Sequence, residues 1–184
     1  MLDSDCARRA VFLDRDGVVN KPRMVNGVAH PPRTVAELEL TEGIREVLQA
    51  LKGAGFLLVV VTNQPDVARG TLTFEAVEAV HARLAALLPI DAFYCCPHDD
   101  EDGCGCRKPK PGLLLRAAQE WGIDLRASFM VGDRWRDVDA GRAAGCTTVF
   151  VDYGYHEALR SPADITVQAP AEIAACILNW AARV

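Results

Sequence analysis

At 184 residues the chain is long enough for one domain with a substantial core and too short to expect a second. Half of it is hydrophobic and 24% is charged, and the net charge of −5 offers no basic footprint for nucleic acid. No apolar run approaches the ~20 residues that span a bilayer, and the polar start Met1-Leu-Asp-Ser-Asp-Cys-Ala-Arg-Arg does not read as a signal peptide, so a cytoplasmic protein without membrane or nucleic-acid partners is expected.

Ala10-Val-Phe-Leu is an apolar run that stops on Asp14-Arg15-Asp16-Gly17. It reads as a buried strand whose tip delivers two carboxylates into a cleft. Carboxylates this close repel unless a cation lies near them, and Mg²⁺, which prefers oxygen ligands and substrate phosphate, suits the pair. Asp14 is then placed as a nucleophile toward a phosphoryl group, and Asp16 as the group that gives a proton to the leaving oxygen and later takes one from water. Taken alone, the same four residues also suit a calcium-binding turn or a plain loop. Residues 20 to 40, with Pro22, Gly27, Pro31 and Pro32, show little periodicity and read as a long loop over the site. Within it, Arg23 suits either a second anionic group or solvent.

Thr41 reads as an N-cap for a helix with Ile44, Val47, Leu48 and Leu51 on one face, closed by Gly53 and Gly55. Phe56 to Val61 has the continuous apolar character of a central parallel strand and ends on Thr62-Asn63-Gln64, where a hydroxyl can reach a phosphate oxygen. Asp66 suits either the cleft or solvent. Thr73 to Leu88 carries Phe74, Val77, Val80, Leu84 and Leu87 at helical spacing, with His81 on the flank; Ile90 to Cys95 reads as the next strand.

Seven cysteines are an odd count, and three of them cluster with a histidine: Cys96-Pro-His98, five residues, then Cys104-Gly-Cys106. Three thiolates and one imidazole make a closed set suited to tetrahedral Zn²⁺, and a staple would order the acidic segment between them. Cys95 is read as a small apolar residue on the other side of its strand. Arg107-Lys108-Pro109-Lys110-Pro111-Gly112 follows, with Lys110 assigned to water. A helix is expected from Pro111 to Trp121 with Leu114, Leu115 and Ala118 inward, and a strand over Ser128 to Val131 ending on Gly132-Asp133-Arg134-Trp-Arg-Asp137. Thr147 to Val151 is the next strand, and the remainder reads as a short edge strand and a covering helix.

Asp14 to Asn20, Val59 to Gln64, Arg107 to Gly112 and Val131 to Asp137, in this order, resemble the haloacid dehalogenase superfamily of aspartate-nucleophile phosphatases. Within it they are similar to the zinc-containing branch that holds the heptose bisphosphate and histidinol phosphate phosphatases. The resemblance implies a three-layer, doubly wound, Rossmann-like α/β fold around a mainly parallel sheet. It covers roughly residues 10 to 152; with the chain length and no obvious inserted segment, one domain over 1–184 is expected, with a zinc loop at 95–107, no separate cap domain, and a monomer acting on a small phosphorylated metabolite. The resemblance also implies that Thr62 binds a phosphate oxygen, that Asn63 helps place the substrate, and that Lys108 neutralises the nucleophile and the transferring phosphoryl group. Arg107 matches a substrate-recognition arginine, and Arg134 stands where relatives often have lysine. Asp133 would complete a Mg²⁺ shell with the Asp14 carboxylate and the Asp16 backbone carbonyl, and Asp137 would orient metal-bound water from behind them.

The activity implied is Mg²⁺-dependent hydrolysis of a phosphate monoester through an aspartyl phosphate. The substrate favoured is the 7-phosphate of D-glycero-D-manno-heptose 1,7-bisphosphate, a precursor of bacterial surface-polysaccharide sugars. Lys21-Pro-Arg-Met-Val25 departs from the acidic Gly-Tyr turn of the heptose enzymes, and the short zinc loop resembles that of histidinol phosphate phosphatases, which stand as the alternative. A phosphosugar-binding module without catalysis is the remote reading, and a zinc-ribbon nucleic-acid module is disfavoured by the acidic loop.

Overall fold

The computed structural model describes residues 8–25, 28–154 and 157–183. Residues 1–7 and Gly27, which the sequence reading used, lie outside them. Six strands form one sheet: β1 (Ala10–Leu13), β4 (Leu57–Asn63), β5 (Ala92–Cys96), β6 (Phe129–Gly132), β7 (Thr147–Val151) and β8 (Ile165–Val167). Their order is β5-β4-β1-β6-β7-β8 and every pairing is parallel. With β1 in the middle and the chain winding outward both ways, the loops after β1, β4 and β6 converge on one edge of the sheet.

Alternation along the strands divides the core into two layers. Val11 and Leu13 of β1 and Leu58 and Val60 of β4 pack with α1 (Ile44–Gly53), α2 (Phe74–Leu87) and α5 (Ile173–Ala181). Ala10, Phe12, Val59 and Val61 face the opposite layer, where α3 (Gly112–Trp121) and α4 (Trp135–Ala144) lie. The expected three-layer, mainly parallel α/β architecture is therefore the observed one.

Local differences have local causes. Residues 20 to 40 are not a plain loop: β2 (Arg23–Val25) and β3 (Val28–His30) pair antiparallel, Arg23 opposite His30, followed by a short 3₁₀ turn at Val35–Glu37. Three-residue strands are too short to show an alternation. Thr41 does not cap α1 with its side chain, because Gly43, at φ 74°, forms a turn between it and Ile44. Thr73 does cap α2 by accepting from Ala76 N, yet Phe74 is exposed and His81 replaces it in the interior. In α3 the buried face is Leu113, Leu114 and Ala117, while Leu115 is exposed; Pro111 lies outside the helix, and the inward stripe falls one residue early. Strand β5 starts at Ala92 rather than Ile90, and β6 runs from Phe129 to Gly132.

Candidate active site

The carboxyl ends of β1, β4 and β6 open into a cavity of about 360 Å³ lined by Asp14, Asp16, Thr62, Asn63, Arg107, Lys108, Asp133, Arg134 and Asp137. All catalytic, magnesium and substrate residues read from the sequence are thus brought to one place. At its floor the Lys108 ammonium donates to Asp14 Oδ1 at 2.6 Å and to the Val61 carbonyl at 2.8 Å, and it pairs with Asp137 Oδ1 at 2.6 Å. Burial alone would lower the Lys108 pKa, but Asp137 and Asp14 outweigh it and hold the ammonium charged far above the ordinary range.

The negative groups remain in excess. One carboxylate oxygen each of Asp14, Asp133 and Asp137 lie within 4.8 Å of one another. Asp14 is pushed up to about 7, first by burial and then by Asp137 and Asp16 against the pull of Lys108. Asp133 is raised for the same first reason and by Asp14, and its Oδ1 is buried without a hydrogen-bond partner. Three buried carboxylates face one ammonium, and the Asp133 Oδ1 among them has no partner, so the carboxylate oxygens form a donor set that fits a hard divalent cation. Two glycines make the crowding feasible. A Cβ on Gly17, at φ 106°, would lie 2.4 Å from Asp133 Oδ2, and one on Gly132 would lie 2.1 Å from Asp137 Cβ.

Asp16 has a different environment. Its carboxylate accepts from Arg15 Nη2 (2.8 Å) and Nε (3.2 Å), from Asn20 Nδ2 (2.9 Å) and from Gln64 Nε2 (2.7 Å). Burial works to raise its pKa, but Arg15 and these hydrogen bonds win and hold it below the usual carboxylate range. Gln64 also donates to Thr62 Oγ1 at 2.9 Å. Neither Arg15 nor Gln64 was singled out in the sequence as a site residue; the Gln64 signal was its place two residues past the Thr62 strand tip.

Asn63 is committed to scaffolding: its Nδ2 donates to the Lys108 carbonyl at 3.0 Å and its Oδ1 accepts from Lys108 N at 3.1 Å. Asp137, besides holding Lys108, accepts from Arg134 N with Oδ2 at the start of α4. Arg134 bonds Glu157 at 3.0 Å, and Arg107 donates to Asp100 Oδ1 at 2.7 Å and to the His98 carbonyl at 3.3 Å. Arg69 and Arg136, given no role in the sequence reading, also line the cavity. Arg23 is not among the lining residues; it pairs with Glu37 at 3.0 Å across the turn that follows the hairpin. Asp66 does line the cavity and meets Arg69 at 3.5 Å.

Beside the cavity, Cys96, His98, Cys104 and Cys106 form a second cluster that can hold a metal. Sulfur separations are 3.1, 3.5 and 3.7 Å, and His98 Nδ1 lies 3.3 and 3.6 Å from Cys106 and Cys96. A tetrahedral ion with ~2.3 Å metal–sulfur bonds sets sulfurs about 3.8 Å apart, so the set needs little expansion to close on one. Lys110 does not face water only: its ammonium donates to the carbonyls of Gly103 and Cys104 and latches this loop to the turn before α3. Cys95, outside the cluster, is pushed up to about 12 by burial and so is held as a neutral thiol, in keeping with its apolar reading.

The model of haloacid dehalogenase-like hydrolases matches residues 28–145. The chain belongs to this family. It is 40% identical to the D-glycero-beta-D-manno-heptose-1,7-bisphosphate 7-phosphatase of Pasteurella multocida, over 80% of this chain and 83% of that one. It is 37% identical to the enzyme of the same name from Pseudomonas aeruginosa, over 80% and 83%. Among solved structures, the D,D-heptose 1,7-bisphosphate phosphatase from B. bronchiseptica, complexed with magnesium and phosphate, superposes with a TM-score of 0.79 at 30% identity, covering 94% of this chain and 99% of that one. As a haloacid dehalogenase-like hydrolase, the chain carries its strand-tip carboxylates, lysine and second acidic strand end in the order in which the sequence presented them.

Proposed function

We propose that this hydrolase removes the 7-phosphate of D-glycero-D-manno-heptose 1,7-bisphosphate through an aspartyl phosphate on Asp14. The observation that carries the chemistry is the Lys108 ammonium 2.6 Å from Asp14 Oδ1, which leaves the other carboxylate oxygen to attack. Its phosphorus–oxygen bond to Asp14 forms as the bond to the sugar oxygen breaks, and that oxygen takes the proton of Asp16. Asp16, now a carboxylate, takes a proton from water as the water oxygen attacks phosphorus; the bond to Asp14 breaks and inorganic phosphate leaves. Asp16 is ionised in the arrangement described, and a phosphate dianion drawn up beside it raises its proton affinity for the first step. Lys108 and Thr62 meet the phosphoryl oxygens.

Magnesium, held by Asp14, the Asp16 backbone carbonyl and Asp133, would supply the positive charge that keeps Asp14 ionised against the push toward pKa 7. Zinc suits the Cys96, His98, Cys104, Cys106 set, where it would fix the loop that carries Arg107 and Lys108. The whole chain, 1–184, is read as one domain acting as a monomer. A cytoplasmic location is expected, where a reducing environment would keep the cysteines available to zinc.

The substrate rests on the named relatives and on four arginines, Arg69, Arg107, Arg134 and Arg136, around the cavity, which suit a second anionic group. Histidinol phosphate, favoured by the five-residue spacing of the zinc loop, would bring a cationic amino alcohol among them. Phosphate release with Mg²⁺ from both compounds side by side, with Asp14→Asn as blank, tests the reading. A large preference for the heptose is expected; preference for histidinol phosphate would overturn the substrate, and an active Asp14→Asn protein would overturn the mechanism.

A further inference from the structure

His81 is a single histidine on α2, a helix that contributes nothing to the cavity lining, and it is only 4% exposed. Its ring stacks on Phe93 of β5 at 4.7 Å between centroids and 20° between planes. Its Nε2 lies 3.3 Å from Arg15 Nη1, and its Nδ1 lies 3.3 Å from Glu78 Oε1. A guanidinium only donates, so Nε2 must carry a lone pair and the ring proton sits on Nδ1, facing Glu78. Both nitrogens are therefore used, in one tautomer.

Arg15, fully buried between the two catalytic aspartates in sequence, gives its remaining Nε and Nη2 donors to the two oxygens of Asp16. A side chain with so many rotatable bonds fixes a carboxylate only if its own far end is fixed. His81 does that from below, with its plane set in turn by Phe93 and Glu78. A core histidine that needed only a partner for burial would be satisfied by any carbonyl. Here it meets the one buried guanidinium that grips the proton-transfer group.

We infer that His81 is a positioning residue of the reaction, holding Arg15 so that Arg15 aligns the Asp16 carboxyl for proton transfer to the leaving oxygen. The inference rests on the reading of Asp16 as the proton donor. Burial and the adjacent Arg15 push the His81 pKa down to about 4, consistent with a neutral imidazole that accepts from Arg15.

The test compares wild type, Asp16→Asn, His81→Phe and His81→Gln on heptose 1,7-bisphosphate and on p-nitrophenyl phosphate, reading kcat/KM and the unfolding midpoint. The sugar oxygen must be protonated to leave, whereas nitrophenolate leaves without a proton, and kcat/KM reports the step up to that departure. His81→Phe keeps the stack and removes the acceptor. It is expected to lower kcat/KM on the heptose about tenfold or more, a fraction of the ~10²–10⁴ that general acid–base catalysis contributes, with less than about a threefold change on the aryl ester. His81→Gln, whose amide oxygen can accept from Arg15, is expected to restore most of the loss. Equal loss on both substrates, a His81→Phe protein as active as wild type, or no recovery in His81→Gln at an unchanged unfolding midpoint would overturn the inference. If instead Asp16→Asn keeps its kcat/KM on the heptose, the assignment of Asp16 as the acid falls, and the role of His81 with it.

Discussion

The floor and the rim of the cavity are built on different principles. The floor, Asp14, Thr62, Lys108, Asp133 and Asp137, stands on strand tips, the turn before α3 and the first turn of α4, and none of it is more than 8% exposed. The rim is made of arginines: Arg69 on a connecting segment and Arg134 and Arg136 at the start of α4, with side chains 37–49% exposed and paired to Asp99, Glu157 and Asp100, and the more buried Arg107, paired to Asp100. Burial makes each charge on the floor strongly felt by its neighbours, so the arrangement is pre-organised and hard to alter. Exposed pairs at the rim are individually worth little, about 0–1 kcal/mol, and a substrate anion can replace an acid there at small cost. The floor is therefore suited to chemistry and the rim to selection.

The largest effect that would break this division is expected at Lys108. Lys108→Met leaves Asp14 and Asp137 without their shared ammonium, and kcat for phosphate release should fall by about a hundredfold or more. A kcat within a few-fold of wild type would remove Lys108 from the floor's chemistry.

At the rim, Arg107→Ala should raise KM for the bisphosphate about tenfold to a hundredfold while kcat stays within about threefold, as expected when a charge-assisted hydrogen bond to the substrate is removed from binding alone. Arg23→Ala, which removes the pair with Glu37, should change KM less than about twofold. Steady-state kinetics on both proteins sharpens the comparison, and an equal effect of the two substitutions would erase it.

The metal loop lies between the two regions, because Arg107 leans on the His98 carbonyl and on Asp100. Cys104→Ser opens the ligand set. It should release bound metal, lower the unfolding midpoint by several degrees and raise KM in the direction of Arg107→Ala, about tenfold. Metal content with calorimetry and kinetics checks this; a stable protein with unchanged KM would detach the loop from the rim.

The smallest effect concerns stability under the floor. The folded pKa of His81, about 4, lies below the ordinary 6.5 because of burial and Arg15, so the unfolded chain binds the extra proton between these values. The stability tied to neutral His81 is fully present above about pH 6.5 and is lost as pH falls toward 4. Urea unfolding at pH 7 and pH 5 should show wild type losing ~2 kcal/mol more than His81→Gln, from about 1.4 kcal/mol per pKa unit over the part of the window crossed. Parallel losses in the two proteins would show that His81 is not held neutral.

The sequence alone determined the features that depend on covalent spacing. The apolar run ending on Asp14 and Asp16, the Thr62 strand tip, the Cys96, His98, Cys104 and Cys106 ligand order and the Asp133 to Asp137 interval each lie within one short stretch of chain. Strand and helix geometry converts such intervals directly into direction, so the parallel sheet and the contents of the floor were legible. Only the tertiary structure decided which side chains meet across the fold. Gln64 reaches Asp16 over 48 residues and His81 reaches Arg15 over 66, contacts set by the register of β4 on β1 and by the packing of α2 on the sheet. The commitment of Asn63 to the Lys108 backbone, the turning of Arg23 toward Glu37 and the acids that hold the rim arginines were equally out of sight. The pairing of polar side chains far apart in the chain is chosen by where the packed core places them, and no local pattern of residues records that choice.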